Sequence, residues 1–176
     1  MTHKKNKDEA HIHIKEKKMK KVLMLTLGTV LFITGCMQSN KVENRLTNNI
    51  NVYKSVWENV FDQRDIDVLN SSNLHQDAKF LNMKGEVEAN GFEAFKNYYN
   101  GYIVGFPDAE FTIIDIFGQG DKLVKHWNFK GTHGDIGKKV NVYGATLVEM
   151  RDGKIFREQD FWDEMIFYKQ LGLPIE

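Results

Sequence analysis

The sequence predicts an α+β domain in which a curved antiparallel sheet of about four long strands wraps over two to three N-terminal helices. Two observations predict this class. Apolar residues recur at three- and four-residue spacing between residues 50 and 106, as in amphipathic helices, whereas apolar and polar residues alternate from Ala109 onward. Helices followed by hairpin-linked strands are typical of α+β folds. Such a sheet encloses a cone-shaped cavity, and we expect a functional site there.

The composition indicates one globular domain without a nucleic-acid partner. The chain has 176 residues, 41% of them hydrophobic, which is enough for one ordinary core. Its 24 Lys and Arg residues balance its 24 Asp and Glu residues, whereas nucleic-acid-binding proteins usually carry a basic excess. The sequence has no residue spacing typical of a metal site and no phosphate-binding loop between a strand and a helix. We therefore predict neither a metal nor another cofactor.

The N-terminal region has the pattern of an export signal. A basic segment, "KKMKK" (17–21), precedes an apolar run, "VLMLTLGTVLFI" (22–33), and "ITGC" (33–36) follows. The apolar run is too short to span a membrane, which takes about 20 residues, but its length suits a signal peptide. "ITGC" resembles the bacterial lipobox, which implies that Cys36 is lipidated and becomes the mature N-terminus. The alternative is a buried helix with a single thiol.

Export and lipidation divide the chain into three predicted regions. Residues 1–36 are a tail plus a lipoprotein signal peptide with its start at Met19, residues 37–46 are a polar tether, and residues 47–176 are the folded domain. Two or more acyl chains hold a protein stably at a membrane. We therefore expect a protein of the bacterial cell envelope, anchored to the membrane through Cys36, with its domain outside the cytoplasm.

The first helical pattern follows the tether. Its apolar stripe consists of Ile50, Tyr53, Trp57, Val60 and Phe61, a spacing that predicts the core face of one helix. "RDIDVLN" (64–70) predicts a short second helix. Residues 71–90 are predicted to be loop-like, with room for one brief strand.

The next helix is marked at both ends. Asn90 is predicted to cap it, with Glu93 completing a capping box, and Pro107 disfavours helix at Phe106. One face of this helix is aromatic and consists of Phe92, Phe95, Tyr99, Tyr102 and Phe106. We predict that this face belongs to the core and, in a cone-shaped fold, also forms a wall of the cavity.

Four segments alternate as strands do. They are "EFTIIDIF" (110–117), "KLVKHWNF" (122–129), "KKVNVYGATLVEM" (138–150) and "KIFREQDFW" (154–162). "GQGD" between the first two and "RDG" between the last two predict turns. A short helix follows, in which Asp163 and Glu164 suit the positive end of the helix dipole and Gly172 ends the helix.

The strand region carries a family resemblance. "FPDAEFTIIDIFGQGDKLVKHWNFKGTH" (106–133), followed by "RDGKIFREQDFWD" (151–163) and "QLG" (170–172), resembles the SnoaL-like polyketide and ester cyclases of the nuclear transport factor two-like superfamily. The resemblance covers roughly residues 47–173 and implies a cone-shaped α+β fold. It also implies a cofactor-free intramolecular aldol condensation in which a pocket aspartate is the general acid/base, and this aspartate falls on Asp160.

The sequence around Asp160 suits that role. Glu158 and Asp160 are two residues apart on a strand, so both point to one face. If that face lines the cavity, burial and a neighbouring like charge raise the pKa of a carboxyl toward neutrality, where proton transfer is efficient. Glu158 and His133 are the further catalytic candidates, His133 because histidine titrates near neutrality. The alternative is structural: acids paired with cations or backbone amides, and a histidine bonded to its own turn.

Further residues are predicted to line the ligand pocket. They are Thr146, Trp127, Tyr99, Tyr102, His75 and Phe95. The cyclases place a histidine at the position of Thr146, and a threonine cannot hold a proton reversibly near neutrality. His75 is assigned to the loop before the aromatic helix, and His126 is expected outside because it alternates with Trp127.

Three functions therefore stay open. An enzyme would catalyse isomerisation, cyclisation or hydration by proton transfer next to a carbonyl. A binding module would hold a small, partly apolar carbonyl or hydroxyl compound without chemistry, and the threonine at position 146 favours this alternative. An interaction domain would keep only a vestigial pocket. By analogy with the superfamily we also expect a homodimer through the exposed sheet face, which a monomer in sedimentation at micromolar concentration would contradict.

Overall fold

The computed structural model of the chain describes residues 41–174. The predicted signal peptide, with Met19 and Cys36, and residues 37–40 of the predicted tether lie outside the described residues. From Glu43 onward the described residues belong to one compact unit, which contains a single sheet. Between residues 41 and 174, no helix combines the length and the apolar character that crossing a membrane requires.

Three α-helices and one 3₁₀ turn lie in the described part of the chain. They are α1 (41–62), the 3₁₀ turn Ile66–Val68, α2 (Phe92–Gly105) and α3 (Glu164–Leu171). Residues 41–46, predicted to be tether, are helical. Side chains at the start of α1 contact a sheet turn, since Arg45 Nε lies 3.3 Å from Asp121 Oδ1 and Asn49 Nδ2 donates to Gly120 O at 2.9 Å. The short second helix is reduced to the 3₁₀ turn.

One six-stranded sheet packs against the helices. Its strands are β1 (Leu74–Leu81), β2 (Val87–Asn90), β3 (Glu110–Gln119), β4 (Lys122–Thr132), β5 (Lys139–Arg151) and β6 (Lys154–Trp162), in the spatial order β2-β1-β6-β5-β4-β3. The strands β3 to β6 are the four predicted antiparallel strands. β1 pairs with β6 in parallel, so the sheet is mixed. The α+β class is confirmed, and the predicted strand count is two short.

The two strands missed from the sequence are β1 and β2. Only Leu74, Ala78 and Phe80 are buried in β1, and the residues between Leu74 and Ala78 are polar and at least partly exposed. The register of β1 against β6 also shifts between Leu74 and Lys79, which interrupts the alternation by which a strand is recognised. A polar strand of this kind depends on its neighbours for pairing, so the prediction of a loop-like segment with room for one brief strand is wrong here, where two strands form.

The turns and helix ends follow local chemistry. The β5–β6 hairpin turns at Asp152 and Gly153, whose φ angles of 52° and 74° are those of a type I′ turn. In α3 the Asp163 side chain caps the helix by accepting from the Ile166 amide at 3.0 Å, and Gly172 ends it in the left-handed region. For α2 the predicted Asn90 cap is wrong: Asn90 pairs with β1, and Gly91 is the N-cap residue without a side-chain bond.

The register of the central strands defines rows of side chains on the inner face. Lys125 on β4 stands opposite Thr146 on β5, and Thr146 stands opposite Asp160 on β6. In the next row Trp127 stands opposite Gly144. A Cβ atom at Gly144 would lie 2.3 Å from the Trp127 ring, so the glycine allows the indole to lie across β5. The sheet thereby brings an ammonium, a hydroxyl and a carboxylate together on its inner face.

Candidate functional site

A buried carboxylate, Glu158, joins β6 to the first two helices. Its side chain is fully buried. Tyr53 Oη and Trp57 Nε1, both on α1, donate to Glu158 Oε1 at 2.5 and 3.1 Å, and the Tyr99 hydroxyl on α2 donates to Oε2. Burial and the charge of Glu158 raise the pKa values of both tyrosines, which keeps them protonated as donors. Glu158 is therefore held by three donors.

Asp160 lies two residues further along the same face. Its Oδ1 accepts from Thr146 Oγ1 at 2.5 Å, and Thr146 Oγ1 accepts from Trp127 Nε1 at 2.9 Å. This relay fixes the direction of the threonine hydroxyl and orients the carboxylate. The pKa of Asp160 is raised to about 7, mainly by burial and further by Glu158, while Lys125 and the Thr146 bond act in the opposite direction. Asp160 can therefore give or take a proton near neutrality.

Lys125 is the cation of the site. It is only 2% exposed, and its ammonium stands 5.2, 5.1 and 4.8 Å from the ring centres of Tyr53, Trp57 and Phe111. Burial lowers the pKa of Lys125, whereas the charges of Glu158 and Asp160 oppose that shift. The sequence prediction missed this residue. Alternation places Lys125 on the same face as Trp127, so the signal was present in "VKHW".

A pocket opens over Asp160 and Lys125. It encloses about 440 Å³ when the open space at its mouth is included. Its lining consists of Phe61, Tyr99, Tyr102, Phe111, Lys125, Trp127, Phe129, Val142, Asp160, Trp162 and Phe167. The walls are mostly aromatic, and Asp160 and Lys125 are the two charged groups among them. An apolar cavity with a few polar groups is the usual form of a small-molecule site.

Several predicted site residues meet at this pocket. Asp160, Trp127, Tyr99 and Tyr102 line it. Thr146 is fully buried and acts on Asp160 through its hydroxyl. The other two predicted residues on the inner side belong to the core and do not line the pocket: Glu158 is enclosed by its three donors, and Phe95 packs between Trp57 and Tyr99 at 6.5 and 5.2 Å.

The two predicted histidines do not line the pocket. His133 packs edge-on against Phe106 at 5.1 Å, and its Nδ1 accepts from the Ile136 amide at 3.4 Å, so it is bonded within its own loop. His75 belongs to β1, so its assignment to a loop is wrong. Its Nδ1 accepts from the Asp77 amide at 3.1 Å. His126 is exposed while Trp127 is buried, as alternation predicts.

Binding of a metal ion by the described residues would need a group of suitable side chains. Among residues 41–174, no three His, Cys, Asp or Glu side chains are grouped in a way that could hold a metal ion. What the site offers chemically is a carboxyl with a pKa of about 7, a buried ammonium and hydroxyl groups, all reached from an aromatic cavity.

Comparison with known proteins identifies relatives of the whole domain. Residues 51–171 match the family described as SnoaL-like polyketide cyclase. No curated protein matches the chain. Among solved structures, a protein described as a SnoaL-like polyketide cyclase from Jannaschia sp. CCS1 superposes with a TM-score of 0.63 at 18% identity, covering 74% of this chain and 95% of that one.

Two further structures share the fold. An LEH-like epoxide hydrolase from M. tuberculosis matches with a TM-score of 0.59 at 18% identity, over 72% of this chain and 90% of that one. A protein from Catenulispora acidiphila DSM 44928 has a ketosteroid isomerase-like fold and was solved in complex with trimethylamine. It matches with a TM-score of 0.59 at 19% identity, over 68% of this chain and 92% of that one. At these identities the similarity shows the fold alone, which these proteins use for different purposes.

Proposed function

The chain belongs to the SnoaL-like polyketide cyclase family, and from this premise we propose that its pocket takes a small, partly apolar carbonyl or hydroxyl compound and moves a proton on it with Asp160 as general acid/base. The observation that carries the proposal is the setting of Asp160. Its carboxyl lines an aromatic pocket, is oriented by Thr146 and has a pKa of about 7. A catalytic acid/base works best when its pKa lies near the operating pH.

The proposed step is removal of a proton from a carbon next to a ligand carbonyl. Ionised Asp160 accepts that proton while its Oδ1 stays bonded to Thr146. The electron pair of the C–H bond forms a C=C bond to the carbonyl carbon, and the π pair of the C=O bond moves onto the oxygen, which gives an enolate. Return of the proton to another carbon completes an isomerisation, and attack of the enolate carbon on a second carbonyl completes an aldol closure. The step needs no cofactor, and the protein supplies the base and its orientation.

A binding function without chemistry is the second candidate. It is favoured by Thr146, which stands where the cyclases have a histidine and which here only orients Asp160. In this case the same pocket would hold the ligand, and Asp160 would be its polar anchor.

The test is exchange of carbon-bound hydrogen in heavy water. We expect the purified protein to accelerate deuterium incorporation next to the carbonyl of 2-tetralone, a small aromatic ketone, as followed by proton NMR. Asp160→Asn keeps the shape and the Thr146 bond but cannot accept the proton, so the acceleration should fall by about 10²- to 10⁴-fold. Asp135→Asn, at an exposed loop position, is the matched control and should exchange like the wild type.

Two results would contradict catalysis. One is a wild-type protein that binds 2-tetralone but exchanges it no faster than buffer. The other is an Asp160→Asn variant that retains full acceleration. Binding that weakens in Asp160→Asn, without exchange in either protein, would assign the pocket to the binding function.

Membrane attachment through Cys36 is also part of the proposal, supported by the export pattern of residues 17–36. We propose a lipid-anchored protein of the bacterial cell envelope with its domain outside the cytoplasm. Expressed in a bacterium fed with labelled palmitate, the protein should carry the label, fractionate with membranes and begin at Cys36 by mass spectrometry. Cys36→Ser should lose all three properties. A labelled Cys36→Ser protein would contradict the proposal.

The expected homodimer has a candidate surface. The outer sheet face exposes Phe117, Tyr143 and Leu147 by 56, 59 and 48%. Exposed apolar side chains gathered on one face often mark an interaction surface. This supports self-association through the sheet, which remains a proposal.

A further inference from the structure

Lys125 is a buried cation without a polar partner among residues 41–174. Its ammonium makes no ion pair with the carboxylates that the structure describes there. Since no fully enclosed side-chain nitrogen of those residues lacks a hydrogen-bond partner, the ammonium nitrogen without such a partner keeps access to the pocket. The residue is nevertheless 2% exposed and lines the pocket. Removing most of the hydration of an ammonium without giving it a hydrogen-bond acceptor is unfavourable.

The two neighbouring carboxylates accept hydrogen bonds from residues other than Lys125. Both oxygens of Glu158 accept from Tyr53, Trp57 and Tyr99, and Asp160 accepts from Thr146 through Oδ1. Both lie near enough for their charges to act on Lys125, but neither forms an ion pair with it. These charges favour the protonated amine without occupying its hydrogen-bonding capacity.

The aromatic rings around Lys125 offset only part of its desolvation. Contacts with ring faces at 4.8 to 5.2 Å are favourable cation–π interactions, but rings do not accept the N–H donors of the ammonium as a carboxylate would, and residues 41–174 supply no ion-pair partner for them. The side that remains for an acceptor is the pocket, which is walled by flat rings. An anion that enters between those rings would complete the coordination of Lys125.

We propose that Lys125 is an anion-recognition site inside the pocket, which makes the protein select small planar organic anions, carboxylates in particular, over neutral compounds of the same shape. The inference rests on the proposed function, because it names the class of ligand for the same pocket. The ligand oxygen accepts from the ammonium while its apolar part lies among the rings. In the proposed proton transfer, Lys125 would also pair with the enolate oxygen that forms when Asp160 takes the proton.

The probes are cinnamate and cinnamamide, which share a planar skeleton and differ in charge. At about pH 6, cinnamate is ionised and Asp160 is largely protonated, because its pKa is about 7. We expect the full chain to bind cinnamate at least about tenfold more tightly than cinnamamide, as a charge-assisted hydrogen bond predicts. Quenching of Trp127 and Trp162, which line the pocket, reports binding.

The matched variants are Lys125→Met, which keeps the length of the side chain without its charge, and Lys138→Met at an exposed loop position. Lys125→Met should bind both probes with equal affinity, and Lys138→Met should keep the wild-type preference. A purely structural Lys125 would not alter the ratio of the two affinities. The proposal is overturned if Lys125→Met keeps the preference for cinnamate.

The wild-type measurement alone can also overturn the proposal, so it does not depend on the stability of Lys125→Met. Equal or tighter binding of cinnamamide by the wild type would do so, as would no binding of cinnamate up to about 10 mM. Failure of the inference is distinguishable from failure of the proposed function. Tight cinnamamide binding or exchange of 2-tetralone would leave the pocket and Asp160 in their proposed roles and remove only the preference for anions.

Discussion

Glu158→Ala is expected to lower the free energy of unfolding by about 3 to 5 kcal/mol, the usual effect of removing one member of a buried charged network. The change removes the acceptor of Tyr53, Trp57 and Tyr99, and each donor left buried without a partner costs about 1 to 3 kcal/mol. It also removes the negative charge that favours protonated Lys125. Urea unfolding monitored by circular dichroism measures the loss.

A matched variant separates hydrogen bonding from volume. Glu158→Gln keeps the size of the side chain and one acceptor oxygen, so it should destabilise clearly less than Glu158→Ala. If Glu158→Ala costs less than about 1 kcal/mol, the three donors must find water or other partners, and the structural role assigned to Glu158 is wrong.

The coupling between Glu158 and Lys125 can be measured in the same way. If the charge of Glu158 offsets that of Lys125, the double variant Glu158→Gln with Lys125→Met should be more stable than the sum of the two single effects predicts. Additive effects would mean that the charge of Glu158 does not offset the charge of Lys125, and that other groups stabilise each of them.

Much of the fold was predictable because local chemistry determines it. The alternation of β3 to β6 and the Asp152–Gly153 turn act within a few residues. The cap of α3 by Asp163 is equally local. By contrast, β1 exists because β6 and β2 pair with it, and pairing between distant segments leaves little trace in a polar stretch. The cap of α2 failed for the same reason, since Asn90 is used by the sheet.

The site was predictable in part. Strand alternation brought Asp160 and Glu158 to one face, but their different surroundings come from α1 and α2, which supply three donors to Glu158 and none to Asp160. His133 is a candidate for its chemistry and His75 for its predicted loop position, and neither belongs to the pocket lining. Lysine is usually at the surface, so the residue type alone does not indicate a buried Lys125, although its position in the strand does.

The pH dependence of stability tests the environment of Asp160 without knowledge of the ligand. Its pKa is about 7 in the folded protein, against an ordinary value of 3.8 expected in the unfolded chain. Between these values the folded state holds a proton that the unfolded state has released. Stability from this group is therefore complete below about pH 4 and is lost as the pH rises through about 7, by on the order of a few kcal/mol.

Asp160→Asn is neutral at every pH and keeps an oxygen that can accept from Thr146. We expect it to match the wild type near pH 4, to be more stable by a few kcal/mol near pH 8, and to lack the decline between them, as urea unfolding at a series of pH values would measure. Asp135→Asn should keep the wild-type profile.

Parallel profiles for Asp160→Asn and the wild type would mean that Asp160 is ionised throughout, as in an acid held only by its hydrogen bonds. A decline confined to proteins with Asp160 would instead mean that the fold keeps an acid at a cost in stability near neutral pH, which is characteristic of a functional group rather than a structural one.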